Sequence, residues 1–261
     1  MLAQIDKFNS NYGIYSRSMV KNLFVVLSSI IQAKTVNLYL LKDEMGKILA
    51  KYNIYSESHY RRLTRFFTYA GKTNLWASVL RYGLDLLEKD IKLLYLDGTE
   101  WYIGVFKLHI LFLAVDYKGV AVPVYFKLYS HKGVLSEKER ILFLEAAIAF
   151  LDLKDCSIIA DREFIGDNWF IKFRVHSIDF IIRLRKNQYK SIIGEKSYKM
   201  LEKKAVKKKK SSVLIQIDGW PFRLWVLKNK TQNNDKEPLI YILTSVLDKS
   251  NVTDLYRLRW K

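Results

Sequence analysis

The first 88 residues carry hydrophobic side chains at the three- and four-residue spacing of amphipathic helices. One such series is Val20, Leu23, Phe24, Leu27, Ile30 and Ile31. A second segment follows the helix-start signal Ser56-Glu57-Ser58. Its apolar positions are Leu63, Phe66 and Phe67, and its basic positions are Arg61, Arg62 and Arg65. The pattern predicts a small helical region over residues 1–88, either a DNA-binding helix-turn-helix or a plain helical bundle with a solvated face.

From Ile91 onwards the hydrophobic residues occur in short runs that are typical of strands. The predicted strands are 91–96, 105–115, 120–128, 157–160 and 180–184, and the predicted helices are 136–150 and 168–176. The turn 116–119 joins the second and third strands as a hairpin. This order of elements predicts an α/β fold of the α+β type, in which helices pack on a mixed sheet.

Beyond residue 190 the chain contains a lysine-rich stretch and then further strand-like runs. The lysines lie in 202–210, and the runs 213–217 and 223–227 flank the turn 218–221 as a second hairpin. A further strand is predicted over 239–243. Residues 252–261 predict a helix that has no C-terminal cap, which we interpret as a chain cut inside a helix.

The charge of the chain indicates an anionic partner. Lysine and arginine number 44 against 26 acidic residues, which gives a formal charge of +18. A globular protein this basic repels itself unless it binds an anion such as nucleic acid or a membrane surface. A basic but otherwise ordinary soluble surface is the alternative, and we favour nucleic acid.

The cysteine content and the apolar runs restrict the class of protein further. The single cysteine, Cys156, excludes a disulfide framework and a cysteine-based zinc site. The apolar stretch 23–31 is too short to span a bilayer, and it lacks the features of a signal peptide. We therefore expect a cytoplasmic protein without a membrane partner.

Two aspartates are the candidate catalytic residues. Asp97 and Asp161 each follow a short apolar strand, and sites in α/β sheets gather at the carboxyl ends of strands. Paired carboxylates bind Mg²⁺ or Mn²⁺, and two such ions can activate a nucleophile and stabilise the leaving oxygen of a phosphodiester. The alternative for each aspartate is that it caps a turn.

Several motifs occur together with these aspartates in a fixed order. They are Asp97-Gly98-Thr99, Ala160-Asp161-Arg162-Glu163-Phe164-Ile165-Gly166 with Trp169, Phe180-Ile181-Ile182-Arg183-Leu184-Arg185, and Tyr256-Arg257-Leu258-Arg259-Trp260-Lys261. The set resembles the DDE transposases of bacterial insertion sequences, specifically the insertion-sequence-4 family. The resemblance runs from about Ile91 to the last residue and includes the stretch around Lys132 and Gly133. It implies an RNase H-like sheet in which Asp97 and Asp161 are neighbours and form the first two acids of the metal-binding triad.

The resemblance also implies where a third acid belongs. The family signature is Tyr, two residues, Arg, three residues, Glu, six residues, Lys. Tyr256 and Arg259 match its first two positions, and its glutamate falls two places beyond Lys261. We therefore expect a C-terminally truncated chain that is inactive by itself. Glu100 and Glu163 are possible stand-ins for the third acid, although structural roles for both are favoured, including an ion pair between Glu163 and Arg162.

DNA contacts are expected at several positions. Arg183, Arg185 and Lys186 follow a strand close to the expected cut, and Arg162 lies beside Asp161. The helical spacing predicts a DNA-binding region over 1–88, and the resemblance implies a catalytic core over 89–190 and 250–261 and a β-rich insertion over 191–249. In relatives an aromatic residue of that insertion holds a flipped base, and Trp220 or Trp225 are the candidates, with ordinary packing as the alternative. The stretch Lys203 to Lys210 either neutralises phosphates or forms a solvated loop.

The sequence thus supports more than one function. The first is a transposase that cleaves transposon ends and transfers strands, acting as a dimer on terminal inverted repeats and target DNA. The second is a non-catalytic DNA-binding protein that inhibits such an enzyme, and the third is a remnant of one. The missing acid is compatible with the second and third functions, and a frameshift that restores the acid would favour the first.

Overall fold

The structure is a computed structural model, and it describes residues 2–13, 15–49, 54–87, 90–130, 134–229, 237–248 and 252–258. The chain divides into two compact units, Met1–Lys89 and Asp90–Lys261. The boundary lies next to the expected one after residue 88. The finer division into a core and an insertion stays a prediction.

The first unit is helical, as the periodicity predicted. Its helices are α1 (Leu2–Tyr12), α2 (Arg17–Ala33), α3 (Leu38–Ile48), α4 (Ser56–Ala70) and α5 (Leu75–Leu87). The side chain of Ser16 caps α2 by accepting a hydrogen bond from the Met19 amide. The buried core of the unit includes Phe8, Val20, Leu41, Leu63 and Phe66.

Among the described residues, no single helix is long and apolar enough to cross a membrane. The pair Ile5–Tyr12 and Arg17–Ala33 meets that test only when its two helices, bent by 112°, are taken together.

The second unit alternates strands and helices. Its strands are β1 (Leu93–Ile103), β2 (Phe106–Tyr117), β3 (Val120–Tyr129), β4 (Ser157–Ala160), β5 (Asp179–Leu184), β6 (Lys210–Ile217), β7 (Trp220–Lys228) and β8 (Leu239–Thr244). Its helices are α6 (Glu137–Phe150), α7 (Asp167–Val175), α8 (Lys186–Ile193), α9 (Glu195–Lys208) and α10 (Val252–Leu258).

The described strands form one eight-stranded sheet in the order β3-β2-β1-β4-β5-β8-β7-β6. The strands β1, β4 and β5 are parallel, and antiparallel strands flank them on both sides. Because the apolar runs of β4 and β5 are almost fully buried, this parallel centre lies within the core. The mixed sheet with flanking helices confirms the predicted fold class.

The two faces of the sheet pack against different helices. On one face the rings of Phe170 and Phe173 from α7 contact Phe180 of β5. On the opposite face Ile159 and Ile181 pack with Val252 and Tyr256 of α10. We call these the α7 face and the α10 face of the sheet. Because side chains alternate along a strand, each side chain of the central strands belongs to one of the two faces.

One expected strand was wrong in extent, and the structure decides against a loop for most of the lysine-rich stretch. The strand that we expected to end at Leu96 continues to Ile103, because residues 97–103 pair with β2 beyond the end of β4. The lysine-rich stretch is helical over most of its length, since Tyr198, Leu201 and Ala205 bury one side of α9. The strands β6 to β8 extend the central sheet at the β5 edge.

Candidate active site

Asp97 and Asp161 occupy neighbouring positions at the carboxyl ends of two parallel strands. The last paired residues of β1 and β4 are Leu96 and Ala160, and each aspartate is the next residue of its chain segment. Asp97 itself lies within the longer β1, opposite Phe112 of β2. The sequence therefore predicted the meeting of the two aspartates correctly, whereas the end of the strand at Asp97 was wrong.

The same row across the sheet contains a basic residue. Ala160 pairs with Ile182 of β5, so the position after it, Asp161, faces Arg183. Arg183 in turn pairs with Ile242 of β8. Two carboxylates and one guanidinium thus share a row at the centre of the sheet.

The side chains of Asp97, Asp161 and Arg183 point to the α10 face, because side chains alternate along each strand. Tyr95 and Ile159, each two residues before an aspartate, belong to the cluster that contains Val252 and Tyr256. Side chains two residues apart on a strand point to the same face. Asp97 and Asp161 are both partly exposed, as metal-binding carboxylates need to be.

Gly98 allows the segment after Asp161 to approach β1 closely. A Cβ atom on Gly98 would lie 2.9 Å from Nε2 of His109 and 3.4 Å from Oε1 of Glu163. The first distance is too short for a side chain to fit without movement. The glycine of the Asp97-Gly98-Thr99 motif therefore permits contact between β1, β2 and the loop that carries Asp161.

A buried arginine of α6 fixes that loop by hydrogen bonds to its backbone. The Arg140 guanidinium donates hydrogen bonds to the carbonyl oxygens of Glu163, at 2.5 Å, and Ile165, at 2.8 Å. Burial lowers the pKa of Arg140, and the carboxylates of Glu137 and Glu163 oppose that shift. Because both bonds end on backbone atoms, Arg140 fixes the path of the chain immediately after Asp161.

Gly166 ends the loop at a point where only glycine fits. Its φ is +153°, and a Cβ atom there would lie 2.0 Å from Oε1 of Glu137. The same oxygen accepts a hydrogen bond of 3.0 Å from the Trp169 amide in the first turn of α7. Glu137 therefore caps α7 from another helix, and Gly166 leaves the space for its carboxylate.

One acidic residue bridges two of the predicted DNA-binding arginines. Glu237 forms an ion pair with Arg162 at 2.8 Å and a second ion pair with Arg183. The sequence had suggested Glu163 as the partner of Arg162, whereas the structure shows Glu237, 75 positions away. Nothing in the local pattern could have identified Glu237, because the sheet alone brings the start of β8 next to the end of β5.

The remaining basic candidates lie at the start of α8. Arg185 is exposed at the N-cap position. The Lys186 ammonium lies 3.3 Å from Glu202, which also accepts a hydrogen bond of 2.6 Å from the Tyr241 hydroxyl. Their roles in DNA binding stay predictions.

Trp220 lies at the wrong end of the sheet to hold a base near the aspartates. It begins β7, and the first residues of β7 lie level with the start of β5, because both strands pair with β8. Its ring packs against the Arg174 guanidinium near the end of α7, 5.7 Å from the ring centre. The alternative candidate, Trp225, is buried in the cluster beneath α10. The packing alternative is therefore correct for Trp225.

The signature residues of the last helix are only partly described. Tyr256 is 3% exposed, and it packs from α10 onto Ile159 and Ile181 of the sheet. It is therefore a core residue of this unit rather than a surface DNA contact. Arg259 lies outside the described residues, and so do Lys132 and Gly133.

The donor set of the site fits a hard divalent cation. Asp97 and Asp161 offer carboxylate oxygens, which Mg²⁺ and Mn²⁺ prefer. Within the described ranges, no group of three or more His, Cys, Asp or Glu side chains could hold a metal ion. The pair is thus a partial set of ligands for such an ion.

The mixed sheet with an acidic pair at adjacent strand ends is the arrangement expected of an RNase H-like domain. Residues 139–261 match the family model of the transposase DDE domain, a range that includes Asp161. This match supports a DDE transposase. No curated protein matches the chain.

The fold is also similar to a solved structure. That structure is the piggyBac transposase in a synaptic complex with hairpin DNA, with a TM-score of 0.52 and 10% sequence identity. The match covers 94% of this chain and 57% of the other, so this chain spans little more than half of its length. At this identity the similarity concerns the fold alone, and it confirms the predicted RNase H-like class.

Proposed function

We propose that this chain provides two of the three acids of a metal-dependent DNA transposase of the insertion-sequence-4 family. Asp97 and Asp161 would hold Mg²⁺ or Mn²⁺ at the carboxyl ends of β1 and β4. The ion would activate the attacking hydroxyl and stabilise the leaving oxygen of a phosphodiester. The observation that carries the proposal is the pairing of Leu96 with Ala160, which makes the two aspartates neighbours.

The third acid would come from the helix on the same face. The family signature expects a glutamate at position 263, seven residues after Tyr256. Seven residues are close to two helical turns, so this position would face the sheet as Tyr256 does. We therefore propose that the residue at this position supplies the third carboxylate of the site.

Cleavage of a transposon end tests the proposal. The substrate is a duplex that carries the terminal inverted repeat of the element, and the enzyme is a chain continued through position 263. We expect strand cleavage that requires Mg²⁺ or Mn²⁺ and that disappears with a chelator. Salt-dependent binding of the same duplex without any cleavage would instead favour the non-catalytic inhibitor.

The helical unit is proposed as the part that binds the repeat. In α4 the buried side chains His59, Leu63 and Phe66 leave Arg61 and Arg65 exposed on the other side. An ion pair of 3.1 Å between Lys42 of α3 and Glu57 joins the two helices. This arrangement of α3 and α4 suits a helix-turn-helix in which α4 enters the major groove.

Replacing both Arg61 and Arg65 by glutamine is expected to weaken binding of the repeat duplex. Each lost phosphate contact lowers the slope of log affinity against log salt by about one, so the slope should fall by about two. Fluorescence anisotropy at several salt concentrations measures this slope. The matched control is Arg17→Gln, because Arg17 is exposed and pairs with Asp6 of α1. Equal slopes for the double variant and the control would reject α4 as the contact surface.

Replacing Glu237 by glutamine is expected to strengthen DNA binding about threefold to tenfold. The change releases Arg162 and Arg183 from their shared counter-ion, so that both can contact a phosphate. The gain should vanish in a background that lacks both arginines. Glu195→Gln is the control, because it removes the same charge from an ion pair with Lys199 on α9. An equal gain in the control would show a general effect of net charge.

A further inference from the structure

The hairpin of β1 and β2 extends past Asp97 and ends in exposed hydrophobic side chains. The exposed fractions are 56% for Trp101, 69% for Tyr102, 90% for Val105 and 76% for Phe106. Gly104, with a φ of +62°, allows the tight turn between the strands. Large apolar side chains clustered at one exposed tip indicate a surface that another molecule covers.

Two of these side chains share a face with the Asp97 carboxylate. Trp101 lies four residues after Asp97 on β1, an even separation that returns to the same face. Phe106 lies six residues before Phe112, the residue opposite Asp97 on β2, so it returns to the same face. Tyr102 belongs to the opposite face, where it pairs with Lys107.

The separation along the strand corresponds to a few nucleotides. Four residues of a strand rise about 13 Å, which separates Trp101 from the aspartate. Successive nucleotides of a stacked DNA strand are spaced by about 3.4 Å, and an unstacked strand extends further per nucleotide, so the same distance spans at most about four nucleotides. A strand whose phosphodiester lies at Asp97 can therefore reach Trp101 with bases close to the cut.

Charge distinguishes nucleic acid from a second copy of the chain as the occupant. The chain has a net charge of +18, so two copies repel each other, whereas a polyanion is attracted. Arg162 and Arg183 lie near the aspartates, where both pair with Glu237, and Lys107 of the hairpin pairs with Glu100. Exposed aromatic side chains are a usual means of binding unpaired bases, because every base has a π-face that can stack.

We propose that Trp101 and Phe106 form a stacking platform for unpaired bases of the DNA strand that the two aspartates hold. The proposal rests on the proposed function, since it takes the position of the cut from Asp97 and Asp161. It replaces Trp220 as the aromatic residue near the site.

The test compares two DNA probes that bind to the chain as it stands. One probe is a blunt duplex, and the other is the same duplex with an unpaired single-stranded extension that carries 2-aminopurine about four nucleotides from the junction. Stacking on an aromatic ring quenches the fluorescence of 2-aminopurine, whereas contact with phosphates alone leaves it unchanged. We expect quenching with the unaltered chain.

Trp101→Ala and Phe106→Ala are each expected to weaken binding of the extended probe about tenfold and to reduce the quenching. Binding of the blunt duplex should change by less than about twofold, because the phosphate contacts remain. Trp220→Ala is the matched control, since Trp220 is 37% exposed and lies at the opposite ends of the parallel strands from the aspartates. The variants should retain their thermal unfolding midpoint, because the replaced side chains lie at an exposed tip.

The outcomes separate this proposal from the proposed function. If the unaltered chain binds neither probe, the proposed function fails. If it binds both probes but Trp101→Ala behaves like Trp220→Ala, the platform is refuted and the proposed function stands. If Trp101→Ala changes the sedimentation of the free chain and leaves the quenching intact, a second copy covers the tip and the platform is equally refuted.

Discussion

Asp97→Asn is expected to lower metal-dependent cleavage of a transposon end about a thousandfold, in a chain that continues through the glutamate expected at position 263. An amide is a poor ligand for Mg²⁺ and leaves the charge of the ion less balanced. The metal stabilises the transition state by several kcal/mol, and each 1.36 kcal/mol corresponds to about a factor of ten in rate. The rate of strand cleavage at saturating DNA and Mg²⁺ measures the effect.

The loss should appear in the chemical step rather than in binding. Removal of one negative charge beside the phosphodiester leaves the affinity for the repeat duplex equal or higher. Asp90→Asn is the matched control, because Asp90 is an exposed carboxylate that pairs with Lys92 before the start of β1. Cleavage by the Asp97 variant at the rate of this control would exclude Asp97 from the metal site.

Arg140→Met is expected to lower the free energy of unfolding by about 2–4 kcal/mol. Methionine retains much of the apolar packing of the arginine stem, but the carbonyl oxygens of Glu163 and Ile165 lose their charged donor. Each hydrogen bond to a charged group contributes about 1.5–3 kcal/mol. The variant no longer has to bury a charged guanidinium, and the desolvation cost that it saves offsets part of this loss. Urea unfolding followed by circular dichroism measures the change.

Arg140→Met should also loosen the loop that carries Asp161. The loop that Arg140 holds carries Asp161, so hydrogen exchange in residues 161–166 should rise in the variant. Lys138→Met is the control, because Lys138 is exposed on the same helix. If the two variants unfold at the same urea concentration, the hydrogen bonds to the loop do not stabilise it.

The sequence predicted the centre of the fold because short apolar runs there end in acidic residues. Ile158, Ile159 and Ala160 before Asp161 are buried, as are Leu94 and Leu96 before Asp97, and such short apolar runs indicate strands without any knowledge of their partners. That the two strands are neighbours, and that the two aspartates therefore meet, was predicted from the resemblance to DDE transposases.

The extension of β1 could not be read in the same way. Residues 97–103 include a glycine and two acids, which are depleted in strands, and their pairing with β2 alone makes them one. The helix α9 is a different case. The helical spacing of Tyr198, Leu201 and Ala205 is present in the sequence, but the many lysines left a solvated loop open as an alternative.

Contacts between distant segments account for the remaining differences. Glu237 meets Arg162 and Arg183 only because β8 is antiparallel to β5 and starts at its carboxyl end. For the same reason the hairpin that begins with Trp220 lies level with the start of β5, away from the aspartates. The direction of an added strand is a property of the whole sheet, and a local pattern does not contain it.

We propose that Asp97 and Asp161 share a divalent metal ion. A crystal of the protein soaked in Mn²⁺ and measured at an anomalous wavelength tests it directly. The predicted result is an anomalous peak about 2 Å from one carboxylate oxygen of each aspartate. A well-occupied Mn²⁺ site elsewhere, with these two carboxylates carrying no metal, would contradict the account.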